Sequence, residues 1–284
     1  MESAMSESAT ARFDTIVARS EQDFNLAEAS LLIATQCYPD LHVGAYLAKL
    51  DRIAAHVREQ LEPFADHVAT IKAMNQYLFH EEGFSGNLQD YSDPRNSFLN
   101  DVLDRKLGIP LTLSLIYVEI GWRLGVPLEG VSFPGHFLVK FPHKDGEVVL
   151  DPFFKGISLG EDDLELRVRQ VLGEDMPARD YVRQLLAGTT KKDMIVRLLR
   201  NLRNIYSERQ DYETALAYAQ RMLVVSPDDA TELRERADLY YRLDCFRPAL
   251  ADYSRYLENE PEASDADTVR ERVIELYGQT ARLH

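Results

Sequence analysis

The chain has 284 residues, a formal net charge of −15, 45% hydrophobic residues and two cysteines. That length suits two domains of roughly 100–200 residues each. The acidic balance argues against nucleic acid or anionic lipid as the main partner, because phosphate binding needs exposed basic surface. Cys37 and Cys245 lie far apart and lack CxxC spacing, which is poor material for a disulfide framework or a zinc site. A reducing cytoplasm is the expected location, with no metal and no cofactor. The first 20 residues hold no apolar core of a secretory signal, and no stretch approaches the ~20 apolar residues of a membrane span.

In chain order, Leu26, Ala29, Leu31, Leu32 and Ile33 form a first helix that Tyr38-Pro39 ends. A second carries Val43, Tyr46, Leu47, Leu50, Ile53, Ala54 and Val57 at 3–4 spacing. A third follows Pro63, with Val68, Ile71, Met74, Leu78 and Phe79. The run from Gly83 to Asn96 is rich in Gly, Asn, Asp and Pro, and reads as an ordered loop packed by Phe84 and Tyr91. Pro110 suits the first turn of an apolar helix over Leu111 to Leu124, which Gly125 ends. Strands follow at Leu128 to Phe133, His136 to Phe141 and Val148 to Leu150, with Asp145-Gly146 as a hairpin signal. The order is α+β, mostly helical. Residues 161–187 are amphipathic and helical, and Gly188 to Lys192 marks a boundary, giving domains 1–188 and 189–284.

Shifted by 34 residues, the last third superimposes on itself. Tyr206 falls on Tyr240, Ala215 on Ala249, Leu223 on Leu257 and Pro227 on Pro261. A helical 34-residue period is the mark of the tetratricopeptide repeat (TPR), in which each helical hairpin buries a face on its neighbour. Two repeats and a capping helix over Asp267 to Leu283 are expected.

His136 in PGHFLVKF and Asp151 in VVLDPF would lie side by side on neighbouring strands. Such a pair either serves a nucleophile as base and orienter or simply ties two strands together. The segments GIPLTLSLIYVEIGWRLGVP, PGHFLVKF and VLDPF together resemble a transglutaminase-like core of the papain-like superfamily. In that core a helix supplies a nucleophilic cysteine and the following strands supply His and Asp. The chain as a whole resembles the bacterial SirB-one family, which joins this core to C-terminal TPRs. ASLLIATQCYPDLHVGAYLAKLD, YSDPRNSFLNDVLDRKLGIP and the repeats carry that resemblance. It implies a helix packed on a small antiparallel sheet, with His136 and Asp151 as the matching His and Asp. It also implies a departure: counting back from Gly125-Val126-Pro127 puts Pro110 in the cysteine's place. Cys37 and Cys245 read as buried fillers elsewhere.

Ser114 and Thr112 lie within the first turns of the same helix and are candidate substitute nucleophiles, or hydroxyls bonded back to the backbone. Asn96 and Asn100 are candidates for fixing an oxyanion or the histidine. Asn96 or Ser97 could instead cap the helix running to Lys106, whose end Arg105 and Lys106 would solvate.

With Pro227 at position 32 of its repeat, the concave positions 2, 5 and 9 are Arg197, Arg200 and Asn204, then Thr231, Arg234 and Asp238, with Tyr241 at 12. Arg at 5 with Asn at 9 resembles a carboxylate-clamp TPR, although Glu235 stands where that clamp has a second Asn. Internal pairing of these arginines with acids is the other reading. The expectation is a non-catalytic interaction protein whose TPR face takes an acidic peptide or C-terminus. The alternative is a Ser/Thr hydrolase or acyltransferase using His136 and Asp151.

Overall fold

A computed structural model describes residues 2–144, 146–173 and 177–281, with side chains for those from 9 to 280. The chain divides into two compact units, residues 1–198 and 199–284. The division falls inside one helix, beyond the 188/189 boundary expected from the sequence.

The first unit opens with α1 (Glu2–Val17), α2 (Leu26–Ala34), α3 (Val43–Glu59) and α4 (His67–Asn75), which runs on as a π-helical turn Gln76–Glu81. Asn25 and Asp66 start α2 and α4 by accepting the amide three residues on, at 2.9 and 2.8 Å. Two short strands, β1 (Ser85–Gly86) and β2 (Leu107–Gly108), pair in parallel around α5 (Leu99–Arg105). Then comes α6 (Pro110–Arg123), buried at every position from Pro110 to Gly121. A helix buried around its whole circumference belongs at the centre of a fold, and α6 packs on α3, on the 3₁₀ turn Pro152–Phe154 and on the sheet. Pro110 sits at its first position, where a missing amide costs nothing. Past its end, Gly125 adopts φ +83° and the Val126 amide returns to the Gly121 carbonyl at 2.9 Å.

The sheet is antiparallel in the order β3 (Glu129–Phe133), β4 (His136–His143), β5 (Gly146–Asp151), β6 (Ile157–Leu159). His143 pairs with Gly146, so Gly146 opens β5 instead of lying in the turn as the Asp-Gly signal expected. Asp145 itself lies outside the described residues. Val131, Phe133, Leu138 and Val149 bury one face of this sheet with Leu164 and Val168 of α7 (Glu161–Leu172) and Ala178 and Val182 of α8 (Ala178–Leu185).

The helix α9 (Lys191–Glu208) crosses into the second unit, followed by α10 (Tyr212–Val225), α11 (Ala230–Arg242), α12 (Phe246–Asn259) and α13 (Ala266–Ala281). Leu233, Ala237, Ala249, Tyr253, Tyr256, Val269 and Leu276 form its shared core, as stacked helical hairpins require. The capping helix expected over 267–283 is α13; residues 282 and 283 lie outside the described residues.

Two local expectations are corrected. Cys245 is exposed at the N-cap of α12, and Cys37 is half-buried in the turn after α2, so neither is a core filler. The N-cap of α5 is Phe98, with no side-chain cap; Asn96 and Ser97 lie before it. Among the described residues no helix is long and apolar enough to cross a membrane.

Candidate functional site

The β4–β5 pairing and the turn at 152–154 bring His136 and Asp151 together. His136 Nε2 lies 2.9 and 3.0 Å from the two Asp151 carboxylate oxygens. Asp151 is fully buried. Its Oδ1 also accepts the Phe153 and Phe154 amides at 3.1 and 3.3 Å, and its Oδ2 accepts Arg167 at 2.7 Å. Burial alone would raise this carboxyl's pKa. The hydrogen bonds and charges of His136 and Arg167 outweigh it and hold the group below the usual carboxylate range. Phe154 stacks on the His136 ring at 6.0 Å, and Phe153 meets it edge-on at 5.7 Å. With Nε2 held by Asp151, Nδ1 is the other ring nitrogen. It has no hydrogen-bond partner among the described residues. The result is an oriented imidazole without a bonded nucleophile among the described residues.

Both candidate hydroxyls point into the backbone. Thr112 Oγ1 donates to the Asn96 carbonyl at 2.7 Å and accepts the Ile109 amide at 3.1 Å. Ser114 Oγ donates to the Phe137 carbonyl at 3.3 Å. Both residues are fully buried. These are structural bonds that seat α6 on the preceding loop and on β4.

Asn96 organises that loop. Its Nδ2 donates to the Asp90 and Tyr91 carbonyls at 2.7 and 3.3 Å, and its Oδ1 accepts Asn87 at 3.1 Å and Arg105 at 3.5 Å. Asn100 is buried with Oδ1 unpartnered among the described residues, as is Ser97 Oγ. Arg105 and Lys106 are not a solvated helix end. Arg105 lies 3.4 Å from Asp93, and Lys106 pairs with Glu82 over the Phe84 ring.

Arg167 and Phe154 are site residues the sequence reading missed. Nothing in local spacing signals Arg167, because α7 reaches Asp151 only through the tertiary fold, whereas Phe154 follows Asp151 by three residues in the turn that Asp151 caps. Arg197 is brought to the same neighbourhood, within the first unit. It donates to Ser132 Oγ at 2.6 Å and to the His136 carbonyl at 2.8 Å, with its guanidinium 5.3 Å from the Phe137 ring. The other concave positions stay in the repeat unit. Arg200 bonds Glu232 at 2.8 Å and lies 3.7 Å from Asp229. Asn204 accepts Arg203 at 2.9 Å, and Arg203 pairs with Glu232. Arg234 bonds Asp265 at 2.8 Å and Glu235 at 3.1 Å. Tyr241 donates to Glu275 at 3.2 Å. The arginines are thus engaged with carboxylates of their own unit. Among the described residues no group of three or more His, Cys, Asp or Glu side chains is placed to hold a metal.

Comparison with known proteins agrees with this architecture. Residues 44–200 match the transglutaminase-like superfamily, and residues 202–273 match the tetratricopeptide repeat. A UPF0162 protein of Xylella fastidiosa (strain 9a5c) is 37% identical over 264 residues, covering 93% of this chain and 94% of that protein. A UPF0162 protein of Pseudomonas aeruginosa is 31% identical, covering 90% and 93%. Protein SirB1 of Salmonella typhimurium is 25% identical, covering 91% and 95%. The chain belongs to the transglutaminase-like superfamily, within the family of the UPF0162 proteins and SirB1.

Proposed function

We propose that this protein is a non-catalytic member of its superfamily, a pseudo-transglutaminase that works by protein interaction. The observation that carries the reading is the start of α6. Pro110 stands where the resemblance puts the nucleophile, and a proline side chain has no group that attacks an acyl carbon. The nearest hydroxyls by sequence, Thr112 and Ser114, are committed to the carbonyls of Asn96 and Phe137. The His136–Asp151 pair is then a structural tie, closed from the other side by Arg167. The repeat unit, whose architecture stacks helices around exposed faces, is the surface for a protein partner. The acidic-peptide version of this reading leaned on Arg200 and Arg234, and the ion pairs of both narrow it. Location in the cytoplasm remains part of the proposal.

The alternative, a hydrolase or acyltransferase with a Ser or Thr nucleophile, draws on the oriented His136 ring. A fluorophosphonate probe and intact-mass measurement separate the two. The proposal expects no adduct on Thr112 or Ser114. An adduct on either that disappears in His136→Ala would establish the hydrolase instead.

A further inference from the structure

In the first unit a groove lies between α1 and α3, over the end of α2. One cavity there, of about 490 Å³, is lined by Arg12, Leu32, Leu41, His42 and Ala45. A second, of about 400 Å³, shares Leu41, His42 and Ala45 and continues along α3 to Lys49 and Arg52. We propose that this groove docks an acidic amphipathic helix of a partner protein. The proposal rests on the reading of the protein as an interaction protein, and it adds a surface in the first unit to that of the repeats.

The shape follows from the spacing on α3. His42, Ala45, Lys49 and Arg52 succeed one another at 3–4 spacing, so they share one stripe of the helix. A different face of α3, carrying Leu50, Ile53, Ala54 and Val57, is buried in the core. From Ala45 to Arg52 the stripe runs about 10 Å, two helical turns. Ala45 is exposed, and a Cβ on its neighbour Gly44 would meet nothing within 4 Å. Small side chains at the middle of the groove let a second helix come close. Leu32 and Leu41 give that helix an apolar floor between the walls of α1 and α3, the setting in which an amphipathic helix lies in a groove.

The charge names the partner. The chain carries −15 overall, yet cations stand on both walls of this groove: Arg12 on the α1 side, Lys49 and Arg52 on the α3 side. Against them the lining holds one acid, Asp40. Arg12 bonds Glu28 at 2.6 Å and Lys49 bonds Asp104 at 2.8 Å, and neither of those acids lines the groove. Arg52 is exposed and makes no ion pair among the described residues. A helix with leucines on one face and glutamates along its flanks satisfies the floor and both walls together. The complementary charges set the choice of partner and speed the encounter more than they add affinity.

Fluorescence anisotropy with the full-length chain tests this. The probes are three fluorescein-labelled peptides of about four helical turns, amidated at the C-terminus. They share a leucine face and carry glutamate, glutamine or lysine at the other positions. The glutamate peptide should bind about tenfold tighter than the glutamine peptide, lose that advantage as salt rises, and gain helical circular dichroism when bound. The lysine peptide should bind weakest. Arg52→Glu and Ala45→Glu, which reverse or add charge at exposed positions of the groove, should each weaken the glutamate peptide about tenfold with the urea midpoint unchanged. Arg270→Glu in α13, which removes an arginine paired with Asp267, should change little. Equal binding of the glutamine or lysine peptide, binding unchanged by either groove variant, no gain of helix, or no binding of the glutamate peptide would overturn the proposal. A partner protein captured equally by wild type and by the Arg52→Glu, Ala45→Glu double variant would end it while leaving the interaction reading in place.

Discussion

At Asp151, one carboxylate joins three parts of the first unit. His136 comes from β4, the Phe153 and Phe154 amides from the following turn, and Arg167 from α7. Removing it with Asp151→Ala leaves an imidazole and a mostly buried guanidinium without their acceptor, a loss of about 3 kcal/mol. Trp122, the chain's single tryptophan, lies in α6 with its Nε1 bonded to the Leu128 carbonyl, so its fluorescence in a urea titration reports on this unit. The pH dependence has a fixed sign. The carboxyl's folded pKa is below its unfolded value of about 4. Its contribution is complete above that value and is lost as pH falls through the folded one. The gap in urea midpoint between wild type and Asp151→Asn should be widest near neutrality and narrow below about pH 4. The His136–Asp151 pair was legible in sequence because two strands and a short turn bring it together. Arg167, sixteen positions beyond Asp151, reaches it only once α7 has folded back over the sheet.

Whole elements were readable where a residue's backbone chemistry dictates the structure. Pro110 opens α6 and Gly125 closes it, and the 34-residue period places the repeat helices. The two-residue strands β1 and β2 were not readable, because so short a pair carries no alternation. Backbone bonds hold them, from the Ser85 and Asn87 amides to the Lys106 and Gly108 carbonyls at 2.9 Å each, and the Phe153 ring packs so close that a Cβ on Gly86 would fall inside van der Waals contact with it. Phe153 belongs to the turn that donates to Asp151. Gly86→Ala should therefore push that ring out of place and cost about 1–3 kcal/mol, the usual range for overpacking. Trp122 fluorescence in urea measures this too, and an unchanged midpoint would show that the ring moves aside freely. The Asn96 network shows the same limit of sequence reading. Asn96 as a helix cap was a sound local reading, but its amide instead bridges Asp90, Tyr91 and Asn87.

Over the whole molecule, composition and repeats set the class, and family membership follows from both matched regions. The net charge of −15 does not translate into a simple charged face. The arginines that made the repeat surface look basic are largely balanced by Glu232, Asp265 and Glu235, a cancellation that spacing alone cannot show. The central claim is that the transglutaminase-like unit keeps its His and Asp without a nucleophile. Hydrolysis of p-nitrophenyl acetate by the purified full-length chain tests it most directly, with His136→Ala as reference. Equal rates for wild type and His136→Ala are predicted, since a surface imidazole elsewhere contributes the same background to both. A wild-type rate at least tenfold above that of His136→Ala, lost again in Ser114→Ala or Thr112→Val, would contradict the account.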